Sequence, residues 1–202
     1  GTATTMAETP ANEIQPLLAR SRARELERLM MLLGVGAHEA TDGLRGARLA
    51  GPAGVGTSSL VELLVERRAI DAQTTCIDAR RTPASSDALR DVLHSVPETS
   101  GRLLVVVDHA WEDDLLAAEV GALMDQLAPD ADVSILLVES IGGGAAPSVW
   151  QLVLDELSDL LPLPVVELAA PAPDELLALL HVTHPHLPDT VRQQVLELAG
   201  GV

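Results

Sequence analysis

Gly51 and Gly56 frame a short turn that is followed at once by three hydroxyl residues, in the stretch GPAGVGTSS. Glycines let successive backbone N–H groups turn toward an anion, and a helix N-terminus behind such a turn adds partial positive charge. The spacing matches the pattern G-x-x-x-x-G-K-[ST] of a phosphate-binding loop, with Ser58 at the hydroxyl position. The sequence therefore predicts a phosphate site formed by Gly51, Pro52, Ala53, Gly54, Val55, Gly56, Thr57, Ser58 and Ser59.

Thr57 stands where this pattern has its lysine. The lysine of such a loop reaches the β- and γ-phosphates and offsets their charge, whereas a threonine hydroxyl carries no charge. No other lysine can replace it, because all 13 basic residues of the chain are arginines. The frame for binding phosphate is therefore present without its cation.

Asp108 ends an apolar run, LLVVVD, about 50 residues after the loop. An aspartate in this position, a Walker B element, holds Mg²⁺ together with the loop hydroxyl, which is Ser58 here. His109 follows it, and a histidine can act as a base at neutral pH. We therefore take Asp108 and His109 as candidate catalytic residues and Ser58 and Asp108 as candidate Mg²⁺ ligands. The nearby acidic residues are interpreted as the charged first turn of the next helix; they are Glu112, Asp113 and Asp114.

Ser140 ends another apolar run, VSILLVES. A polar side chain at the end of that strand could sense the γ-phosphate, so Ser140 joins the candidate nucleotide-binding residues. An ordinary serine between a strand and a loop is the alternative interpretation.

Two other features invite a functional interpretation that the sequence does not favour. His181, His184 and His186 form H-x-x-H-x-H, but Pro185 interrupts them and no cysteine accompanies them, so a solvated turn between helices is favoured over a metal site. Cys76 lies in a short apolar run and is interpreted as a small core residue. As the single cysteine, it excludes an internal disulfide and fits a cytoplasmic setting.

The net charge of −17 is concentrated in the second half of the chain. Residues 103–202 hold one arginine against 17 acidic residues, whereas residues 1–102 hold 12 against 13. Such a surface repels nucleic acid and anionic membranes. No apolar run approaches a membrane span, and residues 1–15 lack the basic start and apolar core of a signal peptide. We expect a cytoplasmic protein that contacts neither nucleic acid nor membrane directly.

Apolar runs alternate with amphipathic stretches, which predicts a parallel sheet covered on both faces by helices, with a ligand crevice at the carboxyl ends of the strands. The predicted strands are residues 44–50, 74–79, 103–107, 133–138 and 164–168. The predicted helices are residues 17–33, the loop helix to about 68, 85–96, 113–127 and 148–161, and then 174–180 and 189–198. The predicted organisation is a flexible lead over 1–16, an α/β domain over 17–170 and a helical lid subdomain over 171–202. We expect the chain to be cut from a larger protein.

These motifs together resemble the nucleotide-binding domain of a STAND-type, AAA-related P-loop ATPase, the class found in large LuxR-type bacterial transcription regulators. The stretch RSRARELERL resembles the first helix of that domain, with Arg22 at its arginine. GPAGVGTSS resembles its Walker A motif in a degenerate form, and VVVDHAWEDD its Walker B motif. Residues 168–201 resemble the start of its helical lid.

The resemblance implies a three-layer P-loop NTPase fold with a five-stranded parallel sheet, ATP or ADP with Mg²⁺ in the crevice, and a nucleotide-governed switch. It also implies sensor and DNA-binding domains elsewhere in the parent. Three positions depart from the family: Thr57 replaces the lysine, His109 replaces a second acidic residue, and no arginine follows the fourth strand at Ser140. Each change removes a group that would stabilise charge or activate water during phosphoryl transfer.

Three functions remain open from the sequence. The first is a degenerate regulatory domain that binds ATP or ADP at most weakly, with little or no hydrolysis. The second is a pseudo-ATPase that acts as a nucleotide-independent structural or protein-interaction domain. The third is an active ATPase completed by an arginine in trans. Expected partners are other domains of the parent chain or a protein partner, and nucleotide-dependent self-association is left open.

Overall fold

The computed structural model describes residues 20–35, 43–52, 55–67, 73–96, 101–141 and 148–200. The sequence predictions that fall outside these residues are the flexible lead over 1–16 and the roles of Ala53 and Gly54. The described chain divides into two compact units. One comprises residues 24–169, and the other contains residues 20–23 and 170–200.

Five parallel strands form the sheet of the larger unit, in the order β2-β3-β4-β1-β5. The strands are β1 (Arg45–Pro52), β2 (Gln73–Asp78), β3 (Leu103–Asp108), β4 (Val133–Ile141) and β5 (Val165–Glu167). Because every pair is parallel, all five carboxyl ends lie at one edge of the sheet. The predicted α/β fold with a five-stranded parallel sheet is confirmed.

Helices cover the sheet on both faces, because the central strands carry apolar side chains on both faces and each face must be shielded from water. In β3, Leu103 to Val107 are all buried. The helices of this unit are α1 (Ala23–Leu33), α2 (Thr57–Arg67), α3 (Ser85–Ser95), α4 (Asp114–Gly121), α5 (Leu123–Gln126) and α6 (Ser148–Leu160). Alternate strand residues such as Val105, Ile135 and Leu137 form one core cluster with α3, α4, α5 and α6. The other residues of the same strands and the inner leucines of α1 and α2 are equally buried.

The single helix predicted over 113–127 is wrong. A 3₁₀ turn (Ala110–Glu112) comes first, and α4 and α5 are separated at Ala122, whose ψ of −2° departs from helical geometry. Gly121 at the end of α4 contributes to the break, because glycine is about 1 kcal/mol less favourable than alanine in a helix. A Cβ on Gly121 would lie 3.4 Å from Val153 of α6, which is an ordinary van der Waals contact.

The interpretation of Cys76 as a core residue is also wrong. β2 is an edge strand of the sheet, and the Cys76 side chain is exposed there. The apolar character of the run predicts the strand but carries no information about its place at the edge.

The smaller unit holds two helices, α7 (Pro173–Thr183) and α8 (Asp189–Gly200). His184, Pro185 and His186 lie exposed in the turn between them, which confirms the predicted solvated turn. The guanidinium of buried Arg192 donates to the carbonyl of Pro185 and lies 3.4 Å from Nε2 of His181. The Arg192 guanidinium therefore lies beside the His181 ring, on its Nε2 side. Within the described residues, no helix is long and apolar enough to cross a membrane.

Candidate functional site

The carboxyl edge of the sheet holds most of the candidate residues. Asp78, Asp108, Val138 and Leu49 form one row across four neighbouring strands. Adjacent strands lie about 4.8 Å apart, so Asp108 is about 10 Å from Leu49 of β1. Leu49 lies two residues before Gly51, the first glycine of the loop. The structure therefore places the loop strand and the Asp108 strand at the same edge, with β4 between them.

Gly51, the first glycine of the loop, pairs in register with Ser140. The sequence-predicted Ser140 thus lies beside the loop, on the neighbouring strand, with its side chain exposed. Gly56, the second glycine, has a φ of +99°, a conformation that residues with a Cβ rarely adopt. The helix begins directly behind it, since the N–H of Leu60 donates to the Gly56 carbonyl and α2 starts at Thr57.

One backbone N–H group of the loop already donates a hydrogen bond to an acceptor within the loop. The Val55 N–H donates to the Pro52 carbonyl oxygen at 3.2 Å. The Val55 side chain also fills the space above Gly51, where an added Cβ would come within 2.6 Å of it. In this conformation the described part of the loop turns an N–H group and an apolar side chain inward, whereas phosphate binding needs amides free to face an anion.

Asp108 lies against His109 and against Asp78, a residue at the end of the adjacent strand. The Oδ1 atom of Asp108 accepts a hydrogen bond from the His109 backbone N–H at 2.8 Å and lies 3.3 Å from His109 Nδ1. The same Nδ1 lies 2.9 Å from Asp78 Oδ1. The two carboxylates and the imidazole thus converge on one point, and all three side chains are about four-fifths buried.

The backbone around this cluster fixes its geometry. His109 adopts a left-handed conformation with a φ of 56°, which turns the chain out of β3 and into the 3₁₀ turn. The ring of Trp111 lies 5.1 Å from the His109 ring, at a tilt of 46°. On the other strand, the Asp78 carboxylate accepts the backbone N–H of Arg80, and the Asp78 N–H donates to the Thr82 hydroxyl.

Burial raises the pKa of the Asp108 carboxyl above its ordinary value of 3.8, and the nearby Asp78 charge acts in the same direction. The His109 ring and backbone N–H lower the pKa of Asp108, but they do not cancel the effect of burial. The Asp108 carboxyl therefore keeps its proton to a higher pH than a free aspartate.

The three acidic residues after Trp111 have separate structural roles. Asp113 caps α4 by accepting the N–H groups of Leu115 and Leu116, and Asp114 lies in its first turn, so the predicted acidic first turn is confirmed for these two residues. Glu112 instead pairs with Arg80, accepting from its Nε at 2.7 Å. This hydrogen bond is the main reason why the pKa of Glu112 lies below its usual range.

Sequence reasoning missed two groups at this edge. Asp78 gave no signal, because a lone acidic residue after a short strand is common. Glu139 lies one residue before the predicted Ser140, and its carboxylate accepts from both Arg48 of β1 and Trp150 of α6. Its place at the end of the same apolar run as Ser140 could have indicated it.

The cofactor expected from the sequence fits this site only in part. Asp108 and Ser58 offer a carboxylate and a hydroxyl oxygen, the ligand types that Mg²⁺ prefers. The phosphates of a nucleotide fit less well, because Thr57 supplies no charge and the Val55 amide is used inside the loop. Nucleotide binding by the predicted loop residues therefore stays a prediction.

No protein-family model matches this chain, and no curated protein matches it. Among solved structures, it is similar to the Orc1 protein of Aeropyrum pernix in complex with DNA, with a TM-score of 0.61 and 17% sequence identity. The similarity covers 89% of this chain and 55% of that protein, so the chain spans about half of its length. At this identity the likeness shows the fold alone, which is a three-layer, P-loop NTPase-like α/β fold.

Proposed function

We propose that this chain is a degenerate P-loop regulatory domain of a bacterial signalling or transcription regulator. It binds ATP or ADP at most weakly and hydrolyses little or none of it. The observation that carries this proposal is Thr57 at the first position of α2, directly behind the glycine loop. That position faces the phosphates in a working loop, and the whole chain offers no lysine for it.

The identity of His109, the residue after Asp108, supports the proposal of weak or absent ATP hydrolysis. Stabilising the charge of the transferred phosphoryl group provides most of the catalysis in this reaction class, and one added cation can raise the rate by about 10³-fold or more. Here the lysine is replaced by Thr57, and the water-polarising acid is replaced by His109. The Nδ1 atom of that imidazole is already directed at the Asp78 carboxylate, 2.9 Å away. We therefore expect no useful turnover.

A second function is favoured by the loop geometry. The hydrogen bond from the Val55 N–H to Pro52 removes one anion-facing donor, which supports a pseudo-ATPase that acts as a protein-interaction domain without nucleotide. The partners in either case are other domains of the parent chain or a separate protein. The DNA in complex with Orc1 is not proposed as a ligand of this chain, because residues 103–202 hold 17 acidic residues against one arginine.

Calorimetric titration with Mg²⁺-ATP and Mg²⁺-ADP tests the proposal. We expect a Kd of about 0.1 mM or weaker and a rate of phosphate release equal to that of the Asp108→Ala variant. Silence at millimolar nucleotide would overturn nucleotide binding in favour of the second function. Phosphate release that Asp108→Ala abolishes would overturn both functions and indicate an active ATPase.

A further inference from the structure

Three metal-ligating groups converge at the ends of β2 and β3. Asp78, Asp108 and His109 each offer one donor atom, and these atoms all lie within 4.8 Å of one another. The two strands are adjacent and in register, with Asp78 directly beside Asp108. Two carboxylates and one imidazole from neighbouring strand ends form a different set from the loop hydroxyl and aspartate expected to hold Mg²⁺ with a nucleotide.

The two distances from the His109 ring nitrogen to the carboxylates match the edges of a coordination shell. At a metal–ligand distance of about 2.1 Å, simple geometry puts neighbouring ligand atoms about 3.0 Å apart in an octahedron and about 3.4 Å apart in a tetrahedron. Nδ1 of His109 lies 2.9 Å from Oδ1 of Asp78 and 3.3 Å from Oδ1 of Asp108. All three donor atoms lie within 4.8 Å of one another, which is close enough for one ion to be shared among them once the side chains adjust.

The groups around the cluster hold the ligands in place, as outer-shell partners of metal sites do. The Asp78 oxygen that faces the imidazole also accepts the Arg80 backbone N–H at 2.9 Å. The corresponding Asp108 oxygen accepts the His109 backbone N–H. Each side chain keeps about a fifth of its surface exposed, so an ion has a path from solvent and room for water ligands.

We propose that Asp78, Asp108 and His109 bind a first-row divalent metal ion of the zinc class, with water completing its coordination. The imidazole selects this class, since Mg²⁺ and Ca²⁺ prefer oxygen ligands, whereas Zn²⁺, Co²⁺ and Ni²⁺ accept ring nitrogen. The two carboxylates match the charge of the ion. Metal binding replaces the Nδ1–H bond to Asp78 and leaves the ring proton on Nε2. The proposal goes beyond nucleotide binding and does not depend on it.

The test is a titration of chelator-treated, nucleotide-free protein with Zn²⁺ by calorimetry and with Co²⁺ by visible absorption. A background with His181, His184 and His186 all changed to Gln removes the histidines at the end of α7 and in the turn after it. We expect one equivalent of metal to bind in this background. Changes to outer-shell partners alone weaken metal sites by about 10–100-fold, so Asp78→Asn and His109→Gln should each weaken binding by about a hundredfold or more. The exposed His94→Gln variant is the matched control and should bind as the background does.

Two outcomes would overturn the proposal. One is the loss of all Zn²⁺ binding in the triple histidine background, which would place the metal on the turn between α7 and α8. The other is an unchanged affinity in both Asp78→Asn and His109→Gln. Circular dichroism and melting in chelator verify that the variants fold. Because nucleotide is absent throughout, a failure here leaves the proposed function standing, and a failure of nucleotide binding leaves this site standing.

Discussion

Trp150 donates its indole N–H to the Glu139 carboxylate at 2.9 Å. The other oxygen of that carboxylate accepts from Arg48 Nε at 2.7 Å, and the Glu139 side chain is only 11% exposed. One carboxylate therefore connects β4 with β1 and α6. It does so beside the loop strand, since Glu139 pairs in register with Ala50, the residue before Gly51.

Glu139→Ala is expected to destabilise the protein by about 2–3 kcal/mol, because it leaves a partly buried guanidinium and a buried indole N–H without their acceptor. Urea unfolding measures the free-energy change. Glu156→Ala, an exposed residue of α6, is the control and should stay within about 0.5 kcal/mol of the wild type. Equal effects from the two substitutions would mean that this connection contributes nothing to stability.

Thr57→Lys is expected to strengthen Mg²⁺-ATP binding by about tenfold to a hundredfold, because a hydrogen bond to a charged group contributes about 1.5–3 kcal/mol. Calorimetry compares it with Thr57→Met, which adds length without charge. No gain from the lysine would show that the loop conformation, with Val55 bonded to Pro52, prevents binding, and that the missing charge is secondary.

Asp108→Asn is expected to raise the melting temperature at neutral pH. The raised pKa of Asp108 means that its ionised form is less favourable in the folded chain than in the unfolded chain. The free energy of unfolding therefore falls as the pH rises from 3.8 through the raised pKa of Asp108. Above that pKa the full loss of stability is present. Asparagine cannot ionise and keeps an oxygen for the His109 N–H.

Melting curves in chelator between about pH 4 and pH 8 check this sign. The advantage of the asparagine variant should shrink as the pH falls, while the exposed Asp159→Asn control should show no such trend. A variant that is less stable than the wild type at neutral pH would contradict the prediction.

Ser134→Ala is expected to cost about 1–3 kcal/mol. The fully buried Ser134 hydroxyl donates to the Leu33 carbonyl and accepts from Arg102, so its removal takes the donor from a buried carbonyl and one of several acceptors from a buried guanidinium. Denaturant unfolding measures the loss. Ser95→Ala, which removes an exposed hydroxyl, should change stability by less than about 0.5 kcal/mol. A Ser134 variant as stable as that control would refute this role.

The sequence predicts the strands well, because an uninterrupted apolar run such as Leu103–Val107 has few alternatives to a strand buried on both faces. It also places Asp108 at a strand end. The order of the strands could not be read from the sequence, since alternation of strands and helices predicts a parallel sheet but not which strands are neighbours. The exposure of Cys76 and the proximity of Asp78 to Asp108 both follow from that order.

The break at Ala122 was missed for a different reason. The apolar spacing over 113–127 continues across it, and only the backbone angles reveal that the helix ends there. In the loop, the glycine frame was recognisable from spacing. The hydrogen bond between Val55 and Pro52 depends on the conformation of the turn, which the pattern does not specify.

The exposed thiol on the edge strand has a practical consequence. Cys76 is the only cysteine of the chain and lies two residues before Asp78, which is about 7 Å along a strand. A fluorophore or spin label attached there would report on events at the carboxyl edge in an otherwise unaltered protein. The molecule thus carries its own attachment point for spectroscopy, close to the residues proposed to hold the metal.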